Sequence, residues 1–249
     1  MISCHTLFDQ QNGRLYLAKS LLMREAEMTE DKEKARAKEI LGILKHSFAV
    51  PDLSNIVEDP FKVLIRTIIS QSTAEVNTRR AFMNLSDRLT VNPKALAEAD
   101  VREIELPLKV AGLYRNKSKV IKEVSRLVVE EFGGSLDFVY SSPLAKAREQ
   151  LMNLPGVGPK TADIVLLFCA GKPTLPVDTH VNRVSKRLGF VRSEAYYEEI
   201  RESLQALYPP EEYFGVHMLF IALGRSYCKA RKPLHGSCPV NNMCPSAKL

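Results

Sequence analysis

With 249 residues, 45% hydrophobic and 26% charged, the chain has apolar material for one large core or two smaller ones and should be soluble and folded. No apolar run is long enough to cross a bilayer, and the opening MISCHTLFDQ lacks the apolar centre of a secretory signal, so an intracellular protein with no membrane partner is expected. A net charge of +6 and a pI near 9.0 lean toward an acidic partner, nucleic acid first.

The elements follow in chain order. Residues 1–28 show none of the later patterns and are expected to form a separate N-terminal extension. TEDKEKARAKEILGILKHSF mixes charge with Ala, Ile and Leu at helical intervals and predicts an amphipathic helix capped by Thr29. DPFKVLIRTIISQST is nearly all apolar after its proline and reads as a buried helix. NPKALAEAD, SKVIKEVSRLVVEEFGG and SPLAKAREQLMNL are further helices, the second stopped by Gly133 and Gly134. EAYYEEIRESLQALYPP and YFGVHMLFIALGRSYC complete the series. No strand pair or hairpin turn is evident, so the fold class is all-α.

The most informative stretch is LPGVGPKTADIVLLFCAGKPTLPVDTHVNRVSKRLGF. Gly156 and Gly158 allow a tight turn, and Pro159 suits the first position of the following helix, where its missing N–H would be unpaired anyway. Backbone N–H groups beside a helix N-terminus suit a phosphate, although taken alone such a turn more often serves a purely structural purpose. Lys160 lies in the first helical turn, next to an apolar run and the positive end of the helix dipole. Both influences lower an amine's pKa and favour a nucleophile; the plainer reading is a surface lysine at the mouth of a buried helix. Asp178 precedes Val181, Val184 and Leu188 and suits an N-cap, a role compatible with proton transfer beside Lys160.

Of the five cysteines, an odd number, Cys4 and Cys169 stand alone and Cys228, Cys238 and Cys244 cluster in YCKARKPLHGSCPVNNMC. Without a secretory signal, the cluster points to ligation in a reducing compartment rather than to disulfides.

LPGVGPKTA followed by PVDTHVNRV resembles the helix-hairpin-helix and catalytic aspartate of the endonuclease III family of base-excision DNA glycosylases. FKVLIRTIISQST and VAGLYRNKSKVI match two further family segments in order, and the terminal cysteines fall where the family carries its [4Fe–4S] loop. The resemblance runs from about Thr29 to Cys244. It implies two helical domains: a six-helix barrel over 52–172 that includes the hairpin, and a discontinuous domain of 29–51 plus 173–249 that carries the metal loop. Lys160 and Asp178 are expected to face each other across the cleft between them.

The implied activity is that of a bifunctional glycosylase and abasic-site lyase acting on oxidised pyrimidines in double-stranded DNA, as a monomer, within the cytoplasm and nucleoid if prokaryotic. Lys160 matches the nucleophile that attacks C1′ and forms a Schiff base; Asp178 matches the residue that assists attack and steadies charge on the sugar. Gln71 matches the residue that fills the gap left by the flipped nucleotide, and Leu113 the wedge. Gly156, Gly158 and His180 join the DNA-binding set, with Lys117, Lys119, Lys229, Arg231 and Lys232 as phosphate contacts by charge and position. The other functions considered are a glycosylase for mismatched or deaminated bases or for 8-oxoguanine, and a non-catalytic module that reads DNA shape. The presence of Lys160 with Asp178 separates an enzyme from such a binder.

Two positions depart from the family pattern. Many relatives have Asp directly after the Gln-x-Thr triplet, where this chain has Ala74 and then Glu75. The family's Cys-x6-Cys-x2-Cys-x5-Cys spacing is kept by Cys228, Cys238 and Cys244, with His235 at the second position. A [4Fe–4S] cluster with His235 as fourth ligand, a Cys3His zinc, and no metal at all are the three states considered.

Overall fold

A computed structural model describes residues 28–51 and 59–247. Among them every regular element is a helix, as the sequence predicts. The expected extension over 1–28 lies outside the described residues apart from residue 28. Helix α1 runs over 28–47 and already includes residue 28, so Thr29 lies inside it and does not cap it. Then follow α2 (Pro60–Ser70), α3 (Glu75–Arg88), α4 (Pro93–Glu98), α5 (Val101–Leu108) and α6 (Tyr114–Phe132). The remainder are α7 (Phe138–Ser141), α8 (Leu144–Met152), α9 (Pro159–Ala170), α10 (Thr179–Arg187), α11 (Tyr197–Leu207) and α12 (Tyr213–Ser226). None of the described helices is long and apolar enough to cross a membrane.

Local chemistry sets the boundaries. Asp59 caps α2 by accepting the Lys62 N–H at 2.9 Å, with Pro60 at the first helical position. Asp100 and Glu103 form a reciprocal capping box on α5. Gly133, at φ +64, and Gly134 end α6, whose last turn they close by donating to Val128 O.

Two hydrophobic cores result. The first gathers Phe61, Leu64, Ile68, Leu85, Ile104, Ile121 and Leu151 with Val165 and Leu166 of α9, drawing on α2 through α9. The second joins Ile40 and Leu44 of α1 to Leu175, Val181, Val184, Ile200, Leu204, Phe220 and Val240. Burying each such side chain stabilises the fold by about 1.5–3 kcal/mol. Among the described residues the chain thus runs from the second core in α1 to the first, and returns to the second after α9. Gly171, at φ +57, closes α9 through N–H bonds to Leu167 O from itself and to Leu166 O from Lys172, both 3.1 Å. The short segment from Pro173 to Val177 then carries the chain to the N-cap of α10.

Candidate active site and metal loop

The α8–α9 hairpin turns at residues 153–158. Gly156 has φ +72, and a Cβ there would lie 2.8 Å from Val120 Cγ1, so both conformation and space demand glycine. Gly158 is the N-cap of α9 with ordinary extended backbone and open space where a side chain would go. The N–H groups of Gly156, Gly158 and Lys160 donate to no acceptor among the described residues, which leaves three donors beside a helix N-terminus.

Lys160 stands in the first turn of α9, half-buried. Burial pushes its amine below the ordinary lysine range, opposed by the carboxylates of Asp178 and Glu75. Asp178 is the N-cap of α10: its Oδ1 accepts the N–H groups of His180 and Val181, each at 2.8 Å. Its Oδ2 has no hydrogen-bond partner among the described residues. A depressed amine therefore sits in the field of a rigidly held carboxylate that keeps one oxygen free. His180 packs against α12, where a Cβ on Gly224 would come 2.8 Å from His180 Nδ1. Arg183 donates to that nitrogen at 3.0 Å, which leaves Nε2–H as the ring's donor, and burial lowers the imidazole's pKa.

Two loops approach the hairpin. Gln71, exposed at the end of α2, donates from Nε2 to Gly156 O at 3.0 Å. Its neighbour Ser72 has φ +52, and Leu113, at the start of α6, has φ +58 while its side chain remains 63% exposed. A left-handed backbone costs a non-glycine residue about 1–2 kcal/mol, and here it presents a leucine to solvent. Lys117 is not a phosphate contact: it is 4% exposed, and its ammonium donates to Ile69 O at 2.8 Å and Thr73 Oγ1 at 2.6 Å. It ties the Gln71 loop to α6, and desolvation lowers its pKa. Lys119, Lys229, Arg231 and Lys232 are exposed.

The C-terminal loop is a chain of short 3-10 turns around a small pocket lined by Cys228, His235, Cys238 and Cys244 together with apolar side chains such as Leu223, Leu234 and Val240. Among the described residues no three His, Cys, Asp or Glu side chains converge as a single ion requires. Four ligand-type residues spread around one pocket suit a cluster that offers each ligand its own iron better than one shared ion, whose sulfurs lie about 2.3 Å from the metal. Burial, with the nearby Cys244 and Cys228, pushes the Cys238 thiol up, so Cys238 as a thiolate calls for a cationic centre. The donor set fits an iron–sulfur group.

Sequence reasoning missed the arginines that organise this loop. Arg187 donates to Lys229 O at 2.7 Å, Ala230 O at 3.2 Å and Cys228 Sγ at 3.4 Å, while Arg183 donates to Cys228 O at 2.8 Å. Their i, i+4 spacing on α10 was a readable signal. The buried Asp163 and His217 and the half-buried Arg148 and Tyr197, behind the Lys160–Asp178 pair, were also missed, and they carry no local signature.

Residues 65–210 match the model of the HhH-GPD superfamily of base excision DNA repair proteins, and residues 228–244 match the iron–sulfur binding domain of endonuclease III. The helical fold, the hairpin and the cysteine loop thus define a helix-hairpin-helix repair protein. Endonuclease III of Thermotoga maritima is 39% identical over 186 residues, 75% of this chain and 83% of the relative. Endonuclease III of Synechocystis is 35% identical over 218 residues, 87% of this chain and 94% of the relative. A solved structure of a trapped endonuclease III–DNA covalent intermediate superposes with a TM-score of 0.76 at 32% identity, over 86% of this chain and 97% of that one. The chain belongs to the endonuclease III family and is a DNA glycosylase/AP lyase of base excision repair.

Proposed function

We propose that this protein acts as a monomer on double-stranded DNA inside the cell, removes oxidised pyrimidines, and cleaves the resulting abasic site with Lys160 as nucleophile. The observation that carries this reading is the amine itself: Lys160 is depressed by burial and faces the fixed carboxylate of Asp178, with Oδ2 free. The nitrogen attacks C1′ as the glycosidic C1′–N bond breaks; the base leaves with the bonding pair and takes up a proton. Asp178 Oδ2 accepts a proton from the attacking amine and steadies positive charge on the sugar. Ring opening gives a C1′ Schiff base, loss of a C2′ proton expels the 3′ phosphate, and the strand is cut.

The nucleotide must leave the duplex to reach Lys160. Gln71 would fill the vacated stack and exposed Leu113 would wedge the pair apart. His180 Nε2–H, the N–H groups of the hairpin at Gly156 and Gly158, Lys119 and the basic loop of Lys229, Arg231 and Lys232 would hold phosphates. The two cores would then be the two domains flanking the DNA. Cys228, Cys238 and Cys244, with His235 as fourth ligand, would hold a [4Fe–4S] group whose role is to fix that loop; the His235 imidazole lines the pocket and has no hydrogen-bond partner among the described residues.

Borohydride trapping tests the reading. A thymine-glycol duplex and an abasic duplex should each give a covalent adduct with native protein and none with Lys160→Ala. Ala74 and Glu75, the latter 3.3 Å from Arg66, change the charge pattern after the Gln71 triplet. Parallel duplexes with a mismatched or deaminated base, or with 8-oxoguanine, therefore decide the lesion class. Absence of any adduct would overturn the lyase reading.

A further inference from the structure

We propose that Tyr197 and Asp163 are positioning residues, forming a hydrogen-bonded strut that holds the Asp178 carboxylate in place relative to Lys160. The inference rests on the catalytic roles just assigned to that pair. Asp163 lies on α9 one turn beyond Lys160 and is 0% exposed. A buried carboxylate persists only when fully hydrogen-bonded, and this one is. Arg148 donates to its Oδ1 at 2.9 Å and to its Oδ2 at 3.2 Å, Thr174 Oγ1 donates to Oδ1 at 2.8 Å, and the Tyr197 hydroxyl donates to Oδ2 at 2.8 Å.

Tyr197 passes the constraint on. The same phenolic oxygen that donates to Asp163 accepts the N–H of Val177 at 3.3 Å, and Val177 directly precedes Asp178. One residue earlier, Pro176 O accepts from Nδ1 of His217 at 2.9 Å. His217 is 2% exposed and meets Phe168 of α9 edge-on at 5.8 Å. The segment that delivers Asp178 is therefore held at successive residues, and both contacts lead back to the helix that carries Lys160. Burial and Asp163 together push the tyrosine hydroxyl far up, so it stays a donor throughout the working pH range. Arg148 and Thr174 would satisfy Asp163 without a tyrosine; what Tyr197 adds is the connection to Val177. Misplacing a catalytic group by about 1 Å can cost a hundredfold in rate, so loss of this connection should appear in the chemical step.

The test uses the whole 249-residue chain carrying Tyr197→Phe, which removes a single oxygen. Three quantities are measured: the single-turnover rate of Schiff-base trapping on an abasic duplex, the Kd for a duplex holding an uncleavable tetrahydrofuran analogue, and the Tm. The trapping rate should fall by about tenfold or more, with Kd within about twofold of native. Tyr208→Phe is the control, because the Tyr208 hydroxyl is buried in the same core without a partner among the described residues; its rate should match native. Asp163→Asn, which keeps the shape and removes the charge, should slow trapping in the same direction and provides the reading if Tyr197→Phe does not fold. A Tyr197→Phe rate within twofold of native, or an equal fall in Tyr208→Phe, overturns the strut. A native protein that gives no adduct overturns the proposed function instead, so the two failures are distinguishable.

Discussion

The junction between α9 and α10 and the loop over 228–244 are both short irregular stretches beside helix ends, but they are held in different ways. At the junction the protein's own groups fix the backbone: Gly171 closes α9, Asp178 caps α10 through Oδ1, and Asp163 is bonded on both oxygens. The C-terminal loop has only short 3-10 turns, two arginines reaching in from α10, and ligand-type side chains facing a pocket. The first region is shaped by packing and is ready for chemistry. The second is shaped around a group it has to bind. Catalysis should therefore be sensitive to single atoms at the junction, and DNA affinity to the occupancy of the loop.

The largest expected effect lies at the junction. Lys160→Ala should lower the lyase rate by about a thousandfold or more, since the covalent route is lost. Its Tm should be equal or higher, because a half-buried, partly desolvated ammonium is removed; a clear fall in Tm would mean that Lys160 is structural. Next is the loop. Cys238→Ser, or removal of iron from the native protein, should abolish hydrogen-exchange protection over 228–247 and weaken duplex binding by about tenfold or more as phosphate contacts are lost. Protection over Pro159–Arg187 should remain. If it vanishes as well, the two regions are not separable.

A smaller effect separates the two hairpin glycines. Gly156→Ala forces a Cβ to within 2.8 Å of Val120 at φ +72 and should cost about 1–3 kcal/mol of stability. Gly158→Ala, in open space, should stay within about 0.5 kcal/mol. Denaturant titration of both variants checks this; equal losses would show that the turn, rather than the contact with Val120, sets the requirement. The smallest effect is a shift in pH dependence. Burial lowers the Lys160 pKa while Asp178 and Glu75 raise it, so the acid limb of the trapping-rate profile should lie below the ordinary lysine range. Asp178→Asn removes one group that raises the pKa, so the limb should move to still lower pH while the rate falls. A shift to higher pH would contradict the assignment.

The hairpin and Asp178 were readable in the sequence because each follows a local rule: glycine and proline at a turn, and a carboxylate before an apolar helical face. Helix α3 was not read, because its sequence is polar and it buries only Thr78, Ala81 and Leu85. The capping box of α5 was present in the sequence as Asp100 and Glu103 and went unread. Lys117 looked like its neighbour Lys119, and only packing shows that one is enclosed beneath Thr73 while the other faces solvent. The Asp163–Tyr197–Val177 connection spans 34 residues of sequence in its hydroxyl–carboxylate step. No periodicity could have revealed it, because its partners meet only when the chain returns to the second core.

Among the described residues two lysines have depressed amines, Lys160 and Lys117, and of these two Lys160 lies in the field of the Asp178 carboxylate. The most direct measurement is therefore to trap native protein on an abasic duplex with borohydride, digest the adduct, and locate the modified residue by mass spectrometry. The account predicts the sugar remnant on the nitrogen of Lys160 and on no other lysine. An adduct on Lys117, or on the N-terminal amine, would contradict it.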